Sequence, residues 1–251
     1  DPETIALVMA LWANNEVGTR QPAEEIVALA AAHGVPVHLD AIAAFGQAPI
    51  DVRAVPAAAV SVSAHKIGGP VGIGALYVAR STLLEPLQHG GNQQRARSGT
   101  QDAAGAAAFG LAAELVTADL GSRAAALASR RDRLVAGILD TVPGAALRGD
   151  PDPAGRLAGN AHLTFEGCEG DSLLFLLDLE GIQVSTGSAC QAGVPEPSHV
   201  VLAMGFDEST ARGALRFTLG DETTDADIDR VLAVLPRVVA QAREAGLAGR
   251  A

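Results

Sequence analysis

The sequence contains few of the residues on which several common classes of protein depend. Its 251 residues include only two cysteines, Cys168 and Cys190, too few for a disulfide framework or for a metal site built from cysteines. Aromatic residues make up 3%, the formal net charge is −11, and no block of basic residues occurs. We therefore do not expect a nucleic-acid-binding surface, which needs clustered positive charge. The scarcity of cysteine favours a reducing compartment, and we expect the cytoplasm.

Long apolar runs are also missing. Hydrophobic residues make up 48% of the chain, but many of them are alanine, and no run approaches the roughly 20 residues that span a bilayer. We expect no membrane segment. The chain opens on DPETIALVMALWANNEVG, without an initiator methionine and with a strand-like segment almost at once. This opening indicates that the sequence begins inside a domain, so the lack of a targeting signal carries little weight.

Lysine is the scarcest charged residue. Lysine and arginine together number 18, and Lys66 is the single lysine among them. A lysine can lose its proton near neutral pH and attack a carbonyl, whereas an arginine effectively never deprotonates. The retained ammonium therefore points to Schiff-base chemistry at Lys66. The alternative is a codon bias that left one lysine by chance.

Short apolar runs alternate with helical patterns along the chain, which predicts an α/β fold with a mainly parallel sheet and ligands at the carboxyl ends of its strands. The segments predicted to form strands are TIALVMAL, VPVHLD, AAVSVSA, GIGALYVA, NAHLTF, GIQVSTG and ALRFTLG. A helix is predicted for PAEEIVALAAAHG, with Pro22 near its start and Gly34 at its end. A long helix is predicted for DADIDRVLAVLPRVVAQAREAGL.

The domain boundary is predicted in an alanine-rich helical stretch that begins at Gln101. Gly121 is the expected break between two long helices. We accordingly divide the chain into residues 1–121, the remainder of a large domain, and residues 122–251, a smaller C-terminal α/β domain.

Asp40 ends the predicted strand VPVHLD and so brings a carboxylate to the carboxyl edge of the sheet. A lone aspartate in such a position is commonly a helix cap or a turn former. Near a Schiff-base lysine it has a second interpretation. In enzymes that use pyridoxal 5′-phosphate (PLP), an acid beside the pyridine nitrogen keeps that nitrogen protonated, so that the ring can accept electrons from the substrate.

The motifs LDAIAAFGQAPIDV, SVSAHKIGGPVGIGALYV, RSGT, STGSACQAG and LRFTLG, in this order, resemble the cysteine desulfurase family. This family comprises PLP enzymes of aminotransferase class V and fold type I. The resemblance extends over nearly the whole chain, and GSAC with its cysteine is specific to the desulfurases within the class. It implies the large PLP-binding domain and small C-terminal domain of fold type I.

The resemblance implies roles for five residues around the cofactor. Lys66 matches the lysine that binds PLP covalently and later moves protons at the substrate Cα. Asp40 matches the partner of the pyridine nitrogen, and Asn15 the residue that hydrogen-bonds the phenolic oxygen of PLP. Ser63 and His65 match ligands of the phosphate. Without the motif, Asn15 would equally well be a turn residue and His65 a structural histidine.

Further roles concern the partner subunit, the substrate and the sulfur. Thr100 matches a residue that reaches the phosphate of the partner subunit in a homodimer. Arg216 matches the arginine that binds the substrate carboxylate, to which Asn15 also contributes; an exposed strand arginine is the alternative. Cys190 matches the cysteine that takes sulfur from the substrate as a persulfide, and its small-residue context predicts a mobile loop. Cys168 is expected to be a buried, structural cysteine.

Two features depart from the family. The residue three positions after the aspartate is usually a glutamine that also bonds the phenolic oxygen of PLP, and here it is Ala43. The family's N-terminal part, with its phosphate loop and the histidine that stacks on the PLP ring, has no counterpart. We expect the chain alone to hold PLP weakly, and either it is a fragment or another chain supplies the rest.

The function implied is cysteine desulfuration: L-cysteine is converted to L-alanine and sulfur remains on Cys190. The implied sulfur acceptor is an iron–sulfur scaffold, a tRNA-thiolation protein or a DNA-sulfur-modification partner. Two alternatives stay open. One is a selenocysteine lyase or class V aminotransferase, and the other is a truncated, non-catalytic interaction subunit.

Overall fold

The computed structural model describes residues 1–91, 96–187 and 196–248. The chain divides into two compact units. The first consists of Asp1–Ala13 and Gln21–Leu120, and the second of Asn14–Arg20 and the chain from Gly121 onward. The short segment Asn14–Arg20 thus leaves the first unit and packs within the second, which the sequence did not indicate. The predicted division after residue 121 stays a prediction.

The first unit is built on a four-stranded sheet whose strands follow their order in the chain. These strands are β1 (Val8–Leu11), β2 (Val37–Asp40), β3 (Ala59–Ser63) and β4 (Gly74–Val78). β2 pairs in parallel with both β1 and β3, whereas β4 is antiparallel to β3. The mainly parallel α/β sheet is therefore confirmed. β4 runs the other way because residues 64–73 are too few for the crossover that a parallel strand needs.

Two helices cover this sheet and support the chain that follows β3. In α1 (Ala23–Ala31), Val27 and Ala30 are buried, and the helix packs on β2. Helix α2 (Ala103–Ala118) begins with a side-chain cap from Asp102. Its residues Phe109, Ala112 and Val116 pack against Ala64 and Ile67 of the 3-10 helix Ala64–Ile67. This apolar contact holds in place the short helix that carries Lys66.

The predicted break at Gly121 lies two residues too late. α2 ends at Ala118, α3 spans Leu120–Thr141, and the two helices are bent by 72°. Asp119 makes the break, with backbone angles outside the helical region. Gly121 lies in the first turn of α3, where the loss of helix propensity costs least because few hydrogen bonds depend on it.

Among the described helices, none is by itself long and apolar enough to cross a membrane. α2 and α3 together would meet that criterion, but the 72° bend separates them.

The second unit is built on a three-stranded antiparallel sheet packed against helices. Its strands, in order across the sheet, are β5 (Ala145–Leu147), β6 (Asn160–Phe165) and β7 (Ala214–Thr218). Its further helices are α4 (Gly170–Leu179), α5 (His199–Ala203), α6 (Glu208–Arg212) and α7 (Asp225–Ala248). All six residues of β6 are buried. Leucine, isoleucine and valine from α3, α4 and α7 complete one continuous core with this sheet.

The strand predicted for GIQVSTG is wrong. Within this segment only Ser185 pairs with the sheet, through two backbone hydrogen bonds with Arg216. Gly181 and Gly187 adopt positive φ angles of 70° and 49°, so the backbone turns on both sides of the paired residue. These turns limit the pairing to a single bridge next to β7.

His162 lies in the middle of β6 and is completely buried. Neither of its ring nitrogens has a hydrogen-bond partner within the described residues. It lies opposite Arg216 in the neighbouring strand. Burial, together with the positive charges of Arg216 and Arg148, lowers the pKa of His162 to about 3. The imidazole is therefore neutral in the folded protein throughout the physiological pH range.

We predict that His162 makes the protein less stable in mild acid. Since an unfolded histidine titrates near pH 6.5, the unfolded state binds an additional proton between that pH and about 3, and the free energy of unfolding falls by up to about 1.4 kcal/mol per pH unit in this window. Above pH 6.5 the term is constant. Urea unfolding of wild type and His162→Gln at pH 7 and pH 5 tests this, and the variant should lose less stability between the two pH values.

The matched control is His33→Gln, because His33 is exposed at the end of α1. The His33→Gln protein should lose as much stability between pH 7 and pH 5 as the wild type does. Equal pH dependence in wild type and His162→Gln would contradict the prediction.

Candidate active site

A polar face forms where β2 and β3 run side by side. Asp40, the last residue of β2, is in register with Ser61 of β3. His38 shares a face of β2 with Asp40, and Ser63 shares a face of β3 with Ser61, because side chains alternate along a strand. His38 Nε2 and Ser61 Oγ are hydrogen-bonded at 2.6 Å. Four polar side chains therefore line one face at the carboxyl edge of the parallel strands.

Asp40 is held by its own chain. Its Oδ1 accepts a hydrogen bond from the backbone N–H of Ile42 at 2.9 Å, and its carbonyl accepts one from the N–H of Trp12 at 2.7 Å. The side chain is half-buried. Asp40 thus forms the turn that the simpler interpretation of the sequence expected. The same turn fixes the direction of a carboxylate at the end of the sheet.

The 3-10 helix after β3 has one buried side and one exposed side. Ala64 and Ile67 are buried, whereas His65 and Lys66 are exposed. Ser63 Oγ and His65 Nδ1 form a hydrogen bond of 2.7 Å. Gly68 ends the helix with a φ of 78°, a conformation that favours glycine. The hydroxyl of Ser63, the imidazole of His65 and the amine of Lys66 thus lie within four consecutive residues at the end of the strand.

A second group of predicted site residues lies in the second unit. Arg216 Nη1 donates a hydrogen bond of 2.7 Å to the backbone carbonyl of Asn15. Asn15 belongs to a turn in which Asn14 Oδ1 accepts the backbone N–H groups of Glu16 and Val17, at 2.9 and 3.0 Å. Asn15 and Arg216 were predicted from motifs at opposite ends of the chain, and the structure brings them together.

The remaining predicted residues take no part in these two groups. Thr100 is exposed and follows Gly99, whose φ is 106°, just before the capping residue of α2. Ala43 is half-buried in the turn after Asp40. Cys190 lies outside the described residues, so its predicted role stays a prediction.

Cys168 is buried as predicted, with 4% of its surface exposed. Its Sγ approaches the carbonyl oxygen of Val239 at 3.8 Å. Burial raises the pKa of the thiol, and the charge of Glu169 adds to this, against an opposing effect of Arg243. Burial is the largest of these effects on the pKa of the thiol. Cys168 is therefore a poor nucleophile.

His38 and Glu16 are among the residues of these groups that were not predicted. His38 could have been found, because the alternation in VPVHLD puts it on the same face as Asp40. Glu16 could not. Its side chain is completely buried and its Oε2 accepts a hydrogen bond of 2.6 Å from Ser198 Oγ, a residue far away in the sequence. No local pattern marks a glutamate for burial.

Comparison with known proteins adds to this geometry. The aminotransferase class V family profile matches residues 2–231. The IscS-like cysteine desulfurase of Mycobacterium tuberculosis (strain ATCC 25618 / H37Rv) is 52% identical over 247 residues, which cover 98% of this chain and 63% of that protein. A solved structure of a NifS-like protein matches with a TM-score of 0.84 and 32% identity, over 94% of this chain and 62% of that one.

A second solved structure, described as SspA in complex with cysteine, matches with a TM-score of 0.67 and 33% identity, over 87% of this chain and 61% of that one. The chain thus spans about three fifths of the length of the proteins it matches. The likeness to the NifS-like structure confirms the predicted fold type I architecture. Since the family profile covers nearly the whole sequence, the chain belongs to the aminotransferase class V family.

Proposed function

We propose that the protein is a PLP-dependent cysteine desulfurase, which converts L-cysteine to L-alanine and keeps the sulfur as a persulfide on Cys190. The observation that carries the proposal is the polar edge of the first unit, where the only lysine follows a strand that lies beside Asp40. The 52% identity to a cysteine desulfurase supports the choice of reaction within the family.

The donor set at this edge fits PLP. The Lys66 amine is exposed and suits a covalent bond to the cofactor's carbonyl carbon. Asp40, half-buried and oriented by its turn, suits a protonated pyridine nitrogen. Ser63 and His65, hydrogen-bonded to each other, offer a hydroxyl and an imidazole to a phosphate. PLP bound there would supply a ring that accepts electrons from the substrate Cα. Thr100 we propose as a ligand of the partner subunit's phosphate in a homodimer.

The chain's own residues would perform the remaining tasks. Arg216, whose guanidinium is oriented by the carbonyl of Asn15, would bind the carboxylate of the amino-acid substrate through paired N–H groups. Asn15 would also bond the phenolic oxygen of the cofactor. Lys66 would remove the proton from the substrate Cα and return it to the carbon skeleton.

The sulfur would move in one nucleophilic displacement. The Cys190 thiolate forms a bond to the sulfur of the bound cysteine as the carbon–sulfur bond breaks, with the bonding electron pair returning to the substrate carbon. Cys168 does not suit this task because burial keeps its thiol protonated. The acceptor that later receives the sulfur would be an iron–sulfur scaffold, a tRNA-thiolation protein or a DNA-sulfur-modification partner. Free thiols suit a reducing compartment such as the cytoplasm.

The visible spectrum of the purified protein, before and after borohydride, tests the proposal together with the products formed from L-cysteine. A reducible band with formation of alanine and a protein persulfide supports it. Transamination to a keto acid, or release of selenium from selenocysteine without reaction of cysteine, would instead favour an aminotransferase or a lyase. A protein without a reducible band at saturating PLP would be a non-catalytic subunit.

Lys66→Ala should abolish both the reducible band and all turnover, because the sequence contains no other lysine to replace it. Lys66→Arg keeps the positive charge but cannot deprotonate, so it should be equally inactive. Arg53→Ala, which removes an exposed cation from the same unit, is the control and should retain both properties. A reducible band in the Lys66→Ala protein would refute the role of this residue.

Cys190→Ser should keep the spectrum of the bound cofactor and its response to L-cysteine, yet retain no sulfur. Cys168→Ser should retain sulfur at the wild-type level, because its thiol is buried. The measurement is the amount of radiolabelled sulfur left on the PLP-loaded protein after exposure to labelled cysteine. Label that persists without Cys190 and disappears without Cys168 would reverse the assignment.

Ala43→Gln should strengthen PLP binding, because glutamine restores the hydrogen bond to the phenolic oxygen that most members of the family make. A neutral hydrogen bond contributes about 1 kcal/mol, so the dissociation constant should fall about fivefold. Titration of PLP into the wild type and the variant measures it. Ala54→Gln, at an exposed alanine of the same unit, should leave the constant unchanged. Equal affinity in the wild type and Ala43→Gln would show that Ala43 does not face the cofactor.

A further inference from the structure

The arginine proposed to bind the substrate carboxylate is held by one peptide group of the turn at Asn14–Arg20. Arg216 Nη1 donates its hydrogen bond of 2.7 Å to the carbonyl of Asn15. This carbonyl and the N–H of Glu16 belong to the same peptide group, which is planar. A contact that fixes the N–H therefore also fixes the direction of the carbonyl that orients the guanidinium.

Asn14 holds the N–H groups of this turn. Its Oδ1 accepts the N–H of Glu16 at 2.9 Å and the N–H of Val17 at 3.0 Å. The backbone of Asn14 closes the same turn, since its carbonyl accepts the N–H of Gly18 at 3.0 Å and its N–H bonds the carbonyl of Thr19 at 2.8 Å. One side-chain oxygen thus orients two consecutive peptide groups.

Asn160 holds the carbonyl of the second of these peptide groups. Its Nδ2 donates a hydrogen bond of 3.1 Å to the carbonyl of Glu16, and the residue is buried, with 5% of its surface exposed. Gly18 lets the turn come close to this side chain: its φ is 74°, and a Cβ there would lie 2.8 Å from Asn160 Oδ1. The turn is therefore packed directly against the asparagine that holds it.

Asn160 and Arg216 reach the turn from one face of the sheet of the second unit. His162 lies opposite Arg216 in the antiparallel pair of β6 and β7, and Asn160 precedes His162 by two residues. Since alternate residues of a strand share a face, Asn160 and Arg216 are diagonal neighbours on the same face. They donate to the carbonyls of two consecutive residues, Glu16 and Asn15.

We propose that Asn14 and Asn160 are positioning residues for the substrate carboxylate: together they hold the two peptide groups against which Arg216 is oriented. The three residues and the turn lie within the second unit. This inference rests on the proposed desulfurase function and deepens it, because it concerns how the amino acid is bound. It assigns to neither asparagine a contact with substrate or cofactor.

The test compares two ligands of the PLP-loaded protein: L-alanine, which has a carboxylate, and ethylamine, which is the same amine without it. Asn14→Ala and Asn160→Ala should each weaken binding of L-alanine about 5- to 20-fold, as expected when a hydrogen bond is lost. Ethylamine does not use Arg216, so its dissociation constant should stay within about twofold of wild type. Spectral titration at saturating PLP measures both constants. The KM for L-cysteine should rise with little change in kcat.

The isosteric change to aspartate should affect the two residues in opposite ways. Asn14→Asp keeps the oxygen that accepts the two N–H groups, so it should bind L-alanine within about twofold of wild type. Asn160→Asp replaces the donor by an acceptor that faces the carbonyl of Glu16, so it should bind L-alanine as weakly as Asn160→Ala does. The titration is made at about pH 8, where an aspartate is ordinarily ionised. A loss of packing alone would not separate the two variants in this way.

Further variants serve as controls. Arg216→Ala should lose the preference for L-alanine over ethylamine, and adding Asn14→Ala to it should cause no further loss, because the two residues act through one contact. Gln183→Ala, which removes an exposed amide from the same unit, should change nothing. In the protein without ligand, amide hydrogen exchange at Glu16 and Val17 should be faster in Asn14→Ala than in Asn14→Asp.

The outcomes separate the inference from the function on which it rests. A wild-type protein that forms no persulfide from L-cysteine overturns the proposed function, and the inference falls with it if L-alanine is bound no better than ethylamine. An active wild type with unchanged L-alanine binding in Asn14→Ala and Asn160→Ala overturns the inference alone. Equal weakening of both ligands, or unfolding of both alanine variants, also overturns it, because the asparagines would then only support the fold. So does an equal effect of Asn14→Asp and Asn160→Asp.

Discussion

The parallel pairing of β2 with β3 is the constraint on which the candidate cofactor site depends. It aligns Asp40 with Ser61, and from there the chain runs directly to Ser63, His65 and Lys66. A slip of one residue would exchange the two faces of a strand. The slip is opposed by the buried faces: Val37, Leu39 and Val60 are at most 2% exposed, and each would have to exchange places with a polar neighbour. The hydrophobic core thus fixes the register, and the register determines which polar groups meet.

This dependence explains why the sequence predicted the first unit well. The alternation in VPVHLD and AAVSVSA determines which residues are buried, and the residues that follow each strand end are neighbours along the chain. Asp40 and the chain that leads to Lys66 could be expected at one edge of the sheet, because a parallel sheet brings strand ends together without distant contacts. His38 follows from the same alternation, although only Asp40 was singled out.

The second unit was less predictable because its contacts join residues far apart in sequence. Glu16 meets Ser198, and Asn15 meets Arg216, through hydrogen bonds that no local pattern announces. Burial in this unit is also contrary to expectation, since the charged or polar residues Glu16 and His162 are both completely buried. The strand that was wrongly predicted for GIQVSTG has a local cause. Its apolar residues resemble a strand, but the glycines around Ser185 turn the backbone away after one bridge.

In sequence, the segment Asn14–Arg20 lies between the two parts of the first unit, but it packs within the second unit. The residues of the first unit that flank this segment are joined by a backbone hydrogen bond of 3.0 Å from Gln21 N–H to the carbonyl of Trp12. Trp12 N–H in turn bonds the carbonyl of Asp40 at 2.7 Å. Trp12 and Asp40 are thus joined within the first unit, and the segment Asn14–Arg20 begins two residues after Trp12. A cut between residues 121 and 122 would leave this turn on the wrong fragment. Asn15 thus lies far in sequence from Arg216, the residue that donates a hydrogen bond to its carbonyl.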